Sequence, residues 1–281
     1  ENPVPAENIQ KPADFSFAIL GDTQSFKPGA AGGYQQAAAS IKKMGPDLIL
    51  ALGDLVSSCD KTAECEKDYR DWKSVLGPLA SKTYPVQGNH DRTGEKDSDS
   101  AWEKSFSHLP TNGPAGFSRL AYSFDFNNSH FVALASDKPE ERDISKKQLD
   151  WLESDLARSR KENIFVFFHE PAYPTNSKVG ESLDENPGNR DRLWNILKKY
   201  EAKAVFSGHE HIQSRRNVGG LYQFGFGNTD SFNHEPPKPG MAEYHHIGQA
   251  FGWVEVRGQE VTVKTYSVKG NLLDSFNVPS R

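Results

Sequence analysis

The sequence predicts an α/β protein, a four-layer α-β-β-α sandwich with two mixed β-sheets face to face and helices outside. Three observations predict it. Short apolar runs alternate with helical stretches over residues 15–87 and again over 145–207. Each of those apolar runs stops at a cluster of polar residues. From about residue 213 to 278 the pattern changes to four or five short β-runs. Strand–helix–strand order implies parallel pairing through right-handed crossovers. The β-rich end implies a further, mainly antiparallel sheet.

The elements follow in order. Residues 1–13, ENPVPAENIQKPA, are polar with three prolines and read as an N-terminal arm; residues 14–281 read as one domain. FSFAIL (15–20) is a buried strand feeding Gly21-Asp22, and YQQAAASIKKM (34–44) has helical composition. DLILAL (47–52) is a second strand, again followed by Gly-Asp, and residues 66–80 are helical up to Gly77-Pro78. TYPVQ (83–87) leads into Gly88-Asn89-His90-Asp91. The charged, Gly/Pro-rich stretch 92–120 is a surface excursion with a short helix near 100–107. AYSFDF and HFVALA (121–126 and 130–135) flank Asn127-Asn128-Ser129 as a hairpin.

Leu149, Leu152 and Leu156 mark the buried stripe of a helix over 145–160. NIFVFF (163–168) ends in His169, residues 189–200 are helical, and KAVFS (203–207) runs into Gly208-His209-Glu210-His211. Trp72, Trp151 and Trp194 read as core, Arg190 and Arg192 as solvated helix residues. Residues 228–250 are long for a connection and read as a rim loop over the site.

Bulk properties narrow the function. A net charge of −5 over 281 residues gives no basic footprint for a nucleic-acid polymer. No apolar run approaches the roughly 20 residues that span a bilayer. Cys59 and Cys65 are either a short-range disulfide or two reduced thiols. The disulfide is favoured, and a thiolate metal site is not expected, because no further cysteine exists to complete one. It would place the chain in a secreted, periplasmic or lumenal setting. A first residue of Glu rather than Met agrees with a removed leader, and equally with a trimmed chain.

Open α/β sheets bind ligands outside the carboxyl ends of their strands. Here five strand ends carry Asp22, Asp54, Asn89-His90, His169, and His209 with His211. Carboxylate, amide and imidazole donors together suit Mn²⁺, Fe or Zn²⁺ better than Ca²⁺. Six or more donors over-supply one ion, whereas two ions about 3.5–4 Å apart, bridged by a carboxylate, fit the count. There is no P-loop, no G-x-S-x-G elbow and no cysteine nucleophile with an evident partner.

The ordered set GDTQ (21–24), GDLV (53–56), GNHD (88–91), FFHEP (167–171) and GHEH (208–211) resembles the calcineurin-like metallophosphoesterases. That family includes purple acid phosphatases and cyclic-nucleotide phosphodiesterases. The resemblance implies hydrolysis of phosphate mono- or diesters by a hydroxide held on two metal ions. It implies Asp54 as the bridge, Asp22 and His211 on the first ion, and Asn89, His169 and His209 on the second. His90 would act on the substrate, with Asp91 orienting its ring. Many relatives carry Asp-x-His where this chain has Asp22-Thr23-Gln24, so Gln24 is read as a ligand or as a contact of the ligands. The purple branch has Tyr where this chain has Val56, which favours Mn²⁺ or a mixed pair including Fe, with Zn²⁺ compatible. Asn89, His90, Tyr173 and His245 are expected to touch substrate, with Asn176 and His234 near the cleft. The substrate is expected to be a small phosphorylated molecule: nucleotide, phospholipid or phosphosugar. A metal-bound phospholigand-binding protein with little catalysis is the competing reading.

Overall fold

The computed structural model describes residues 14–94 and 96–280; the arm expected over 1–13 lies outside them. β1 (Phe15–Leu20), β2 (Leu48–Ala51) and β3 (Thr83–Pro85) pair in parallel, as the alternation predicts. The crossovers are α1 (Gly33–Met44) and α2 (Thr62–Leu76); α3 (Lys96–Ser105) follows β3. α1 buries Ala37, Ala38 and Ile41 and stops at Gly45, whose φ of 69° is the left-handed cap that glycine supplies at least cost.

β4 (Tyr122–Phe126) and β5 (Ser129–Ala133) form the expected hairpin. A small parallel ribbon, β6 (Asp137–Lys138) with β7 (Asp143–Ile144), was not legible in the sequence. α4 (Lys146–Arg158), β8 (Asn163–Phe167), α5 (Pro187–Lys199) and β9 (Ala204–Ser207) continue the chain. The β-rich end supplies β10 (Gln213–Val218), β11 (Leu221–Phe226), β12 (Tyr244–His246), β13 (Ala250–Arg257), β14 (Glu260–Ser267) and β15 (Leu272–Val278).

One expectation needs correction here. The C-terminal strands do not form a sheet of their own. They divide, giving one sheet of order β15-β14-β13-β1-β2-β3 and another of order β12-β10-β11-β9-β8-β5-β4. The reason is hydrogen bonding. β1 and β9 are buried strands with a ladder to fill on each side, and unpaired buried backbone groups are costly. β13 pairs antiparallel with β1, and β11 pairs parallel with β9.

The two mixed sheets meet through aromatic side chains. Phe17 of β1 contacts Phe131, Phe165 and Phe206 of the facing sheet edge-on, at centroid distances of 5.4, 5.3 and 6.0 Å. On the outer face of the second sheet, Leu149, Leu152 and Leu156 of α4 and Leu193 and Leu197 of α5 join Val132, Val166 and Val205 in a separate buried cluster. Trp72 and Trp194 are buried as expected. Trp151 is only half-buried, because its indole NH reaches out to the Asn112 carbonyl.

His130 of β5 is buried with both ring nitrogens on carboxylates, 2.6 Å from Asp125 and 2.9 Å from Asp155. Burial alone would lower its pKa, but the bonds to Asp155 and Asp125 outweigh it and raise the value. A raised folded-state pKa gives stability that is complete below the ordinary imidazole value and fades as pH rises past the raised one. His130→Gln is therefore expected to cost about 1–3 kcal/mol near pH 5.5 and clearly less near pH 9. Urea unfolding at the two pH values checks it, and an equal loss at both would refute the charged arrangement.

Candidate metal centre

The C-terminal ends of β1, β2, β3, β8 and β9 open onto one seam between the sheets. Their loops are stitched together: Asp22 N donates to Gly53 O (3.1 Å), Thr23 N to Asp54 O (2.9 Å) and Gly208 N to His169 O (2.8 Å). Space is scarce at this seam. A Cβ at Gly88 would collide with Asp54 Oδ1, and one at Gly208 would come within 2.5 Å of Asp22 Oδ2. Asp22, Asp54, His209 and His211 all have positive φ, between 51° and 68°. They make up half of the non-glycine residues in that region among the described residues. Backbone strain of this kind persists where surrounding structure holds it, and it clusters at functional sites.

Ligand-capable atoms of Asp22, Asp54 and His169 lie within 4.8 Å of one another. The two oxygens of Asp54 face different neighbours. Oδ1 is 3.5 Å from His169 Nε2, which in turn lies 3.1 Å from Asn89 Oδ1. Oδ2 is 3.3 Å from the Gln24 amide, which touches His211 Nε2 at 3.0 Å. His211 Nε2 is 3.2 Å from Asp22 Oδ1. The His209 ring sits beside that of His169, centroids 5.1 Å apart.

Backbone and hydroxyl groups fix the rings. His169 Nδ1 bonds Leu52 O (2.7 Å), His209 Nε2 bonds Glu181 O (3.0 Å) and His211 Nδ1 meets Ser231 Oγ (3.2 Å). A carbonyl accepts only from N–H, so it sets the tautomer and leaves the other nitrogen's lone pair for a cation. Burial holds His209 well below the usual imidazole range and His211 at about 4, so both are neutral near pH 7, the ligating form. Burial, and the neighbouring Asp54, raise the Asp22 carboxyl well above its ordinary value.

The donor set fits a metal pair. Asp22 and Asp54 are 0% and 1% exposed, and among the described residues neither meets a Lys or Arg. Two buried carboxylates paired only with imidazoles lack a permanent counter-charge. Gln24 Oε1 is also buried without a partner. Rotating that amide by a half-turn would turn the oxygen towards Asp54 and His211, where a cation could use it.

The match of a protein-family model, Calcineurin-like phosphoesterase, to residues 15–213 settles the family. The chain belongs to the calcineurin-like phosphoesterases. It is a hydrolase acting on phosphoesters. It is 23% identical over 282 residues to tartrate-resistant acid phosphatase type 5 of Rattus norvegicus, covering 88% of this chain and 83% of the relative. It is 28% identical over 176 residues to a probable cyclic nucleotide phosphodiesterase of Vesicomyosocius okutanii, covering 61% and 65%. Its fold matches a purple acid phosphatase from yellow lupin (Lupinus luteus) with a TM-score of 0.76 at 16% identity. That match takes in 95% of this chain and 54% of the lupin chain.

Four sequence expectations do not survive the phosphoesterase's geometry. Asp91 does not orient His90. It turns inward and accepts from Gly88 N (2.9 Å) and Leu55 N (3.2 Å), bracing the loop, while His90 Nδ1 bonds Ser57 O at 2.8 Å. Tyr173 leaves the rim: its ring packs on Trp194 and its hydroxyl meets Asp191 on α5. His245 lies exposed on the edge strand β12, opposite Ser214 of β10. The stretch 228–250 reaches the site earlier, through Ser231 and through His234, whose ring stacks on His211 at 4.1 Å. Asn176 is fully buried and ties Glu210 O to the neighbouring loop rather than lining the cleft. The sequence did not single out Ser57, Glu181, Lys178 or Ser231. Ser57 and Glu181 act through backbone carbonyls, which every residue type supplies.

Proposed function

We propose that this phosphoesterase hydrolyses small phosphate esters with two transition-metal ions, held by Asp22, Gln24, Asp54, His211, Asn89, His169 and His209. The observation that carries the reading is the pair of buried carboxylates, Asp22 and Asp54, that meet imidazoles but no Lys or Arg. When bound, such ions neutralise phosphoryl oxygens and make a coordinated water acidic near neutral pH. The chain's own part is positional. Asp54 faces both halves of the site, and the carbonyls of Leu52 and Glu181 hold His169 and His209 in ligating tautomers. His90 stands at the rim with its side chain 41% exposed, its Nδ1 tied to Ser57 and its Nε2 3.9 Å from Asp54. With Nδ1–H given to the Ser57 carbonyl, Nε2 donates to a phosphoryl or leaving-group oxygen from the protonated ring; burial opposes that form, but Asp54 and the Ser57 bond outweigh it and raise the pKa.

Val56 lies beside Gln24 in a small recess, where a phenolate would be needed for an Fe(III) charge-transfer band. Mn²⁺ or a mixed pair including Fe is proposed, and the loaded protein is expected to lack a purple phenolate-to-Fe(III) band. The disulfide between Cys59 and Cys65, both buried, supports an extracytoplasmic setting. No helix among the described residues is long and apolar enough to cross a membrane.

Metal removal tests the proposal. Exhaustive chelation is expected to reduce hydrolysis of p-nitrophenyl phosphate and of bis-p-nitrophenyl phosphate to background. Mn²⁺ should restore it, with about two ions per chain by elemental analysis. Unchanged turnover after verified removal of metal would end this reading.

A further inference from the structure

A groove of about 830 Å³ leads away from the Asn89 and His209 side of the site. Its walls include Arg92, Arg142 and Lys178. Two of these cations are committed elsewhere. Arg92 donates to the Asp137 carbonyl and lies 3.6 Å from Asp99, and Arg142 pairs with Glu185 at 2.9 Å. Lys178 differs. Its side chain is 21% exposed, and its one ion pair among the described residues is a 3.5 Å approach to Glu181, itself 55% exposed. A lysine with a mostly buried side chain that lines the groove, and whose carboxylate partner is distant and exposed, can turn its ammonium to a better-placed anion.

Lys178 is also held firmly in place. Its backbone N–H donates to Asn176 Oδ1 at 3.0 Å. Asn176 in turn donates to Glu210, through Nδ2 to the carbonyl at 2.9 Å and through its backbone N to Oε1 at 3.1 Å. Glu210 is the residue between His209 and His211. The lysine is thus bolted to the loop that carries two candidate ligands. His209 Nε2 closes the circuit on Glu181 O.

The remaining lining limits the guest. The one aromatic ring among the lining residues is the His209 imidazole, so a nucleobase finds no stacking platform. Four acidic residues also line the groove, Asp137 and Glu170 buried and Glu140 and Glu141 exposed, and they disfavour an anion that extends away from Lys178 towards them. The guest is therefore compact.

We propose that Lys178 is a specificity-determining residue for short phosphate esters whose leaving group carries a second anionic group, a carboxylate or a phosphate. This rests on the hydrolytic reading above. The test uses the metal-loaded full chain and two matched pairs. One is 3-phosphoglycerate against glycerol 3-phosphate; the other is propane-1,3-diol bisphosphate against propyl phosphate. The unaltered protein is expected to favour the doubly anionic member of at least one pair by about tenfold in kcat/KM. The pair with the larger ratio names the second anion. Lys178→Gln should bring that ratio close to one through KM, and Lys178→Arg should restore most of it.

Equal losses on both members of a pair would overturn the proposal, because they would place Lys178 on the transferred phosphoryl group or in the fold. A ratio near one in the unaltered protein would overturn it as well. Turnover of p-nitrophenyl phosphate but of none of the four esters would also overturn it, whereas turnover of neither would make the hydrolytic reading fall by itself. Calorimetric binding of 3-phosphoglycerate and glycerol 3-phosphate to the two proteins would then decide on Lys178 by the same ratio.

Discussion

Asp54→Asn is expected to lose both metal ions and to lower turnover by on the order of 10⁴-fold or more. The substitution preserves shape and removes one charge. Asp54 Oδ1 faces His169, and through it Asn89, while Oδ2 faces Gln24, and through it His211 and Asp22. Each ion contributes several kcal/mol of charge stabilisation to the transition state, and every 1.36 kcal/mol is tenfold in rate. The substitution also has a signature in stability that an ordinary core defect would not show. Without metal, Asp54 is a buried carboxylate beside a second carboxyl group and meets no Lys or Arg, so metal-free Asp54→Asn should melt no lower than the metal-free parent. With Mn²⁺ present, the parent should gain stability by mass action and the variant should not. Elemental analysis and paired melting curves with and without Mn²⁺ give the answer. A variant that keeps two ions would show that the carboxylate does not bridge.

The candidate site was legible because its donors are side chains at strand ends, and strand ends show in sequence as the place where an apolar run stops. Asp22, Asp54, Asn89, His169, His209 and His211 converge for that reason. What holds them was not legible. The carbonyls of Leu52, Ser57 and Glu181 belong to residues whose side chains give no hint of the task. Adjacency in sequence also misled. Asp91 follows His90, yet the short helical turn at His90–Arg92 sends the two side chains in different directions, one to solvent and one beneath the loop. The β-rich end shows a similar limit. Its strands were visible from composition, but their partners depend on which sheet has an open buried edge, and that is set by β1 and β9 elsewhere in the chain.

His90→Ala separates chemistry from metal binding. Among the candidate histidines of the GNHD and GHEH loops, His90 is the most exposed, and its hydrogen bond to Asp54 is made by its backbone N–H at 3.0 Å, which alanine keeps. Metal content should therefore stay at the parent level. Removing the ring takes away a donor poised over the cleft, and general acid catalysis contributes roughly 10²–10⁴-fold. The loss should depend on the leaving group. An alkyl phosphate needs its departing oxygen protonated, so its turnover should fall through the whole of that range. p-Nitrophenolate leaves without help, so the chromogenic ester should lose far less. Equal losses on both would assign His90 to binding the phosphoryl oxygens instead, and loss of metal would return it to the ligand set. Asp91→Asn supplies the contrast. Because Asp91 braces Gly88 and Leu55, that variant should reduce thermal stability and weaken turnover of both esters alike, without the leaving-group dependence expected for His90→Ala.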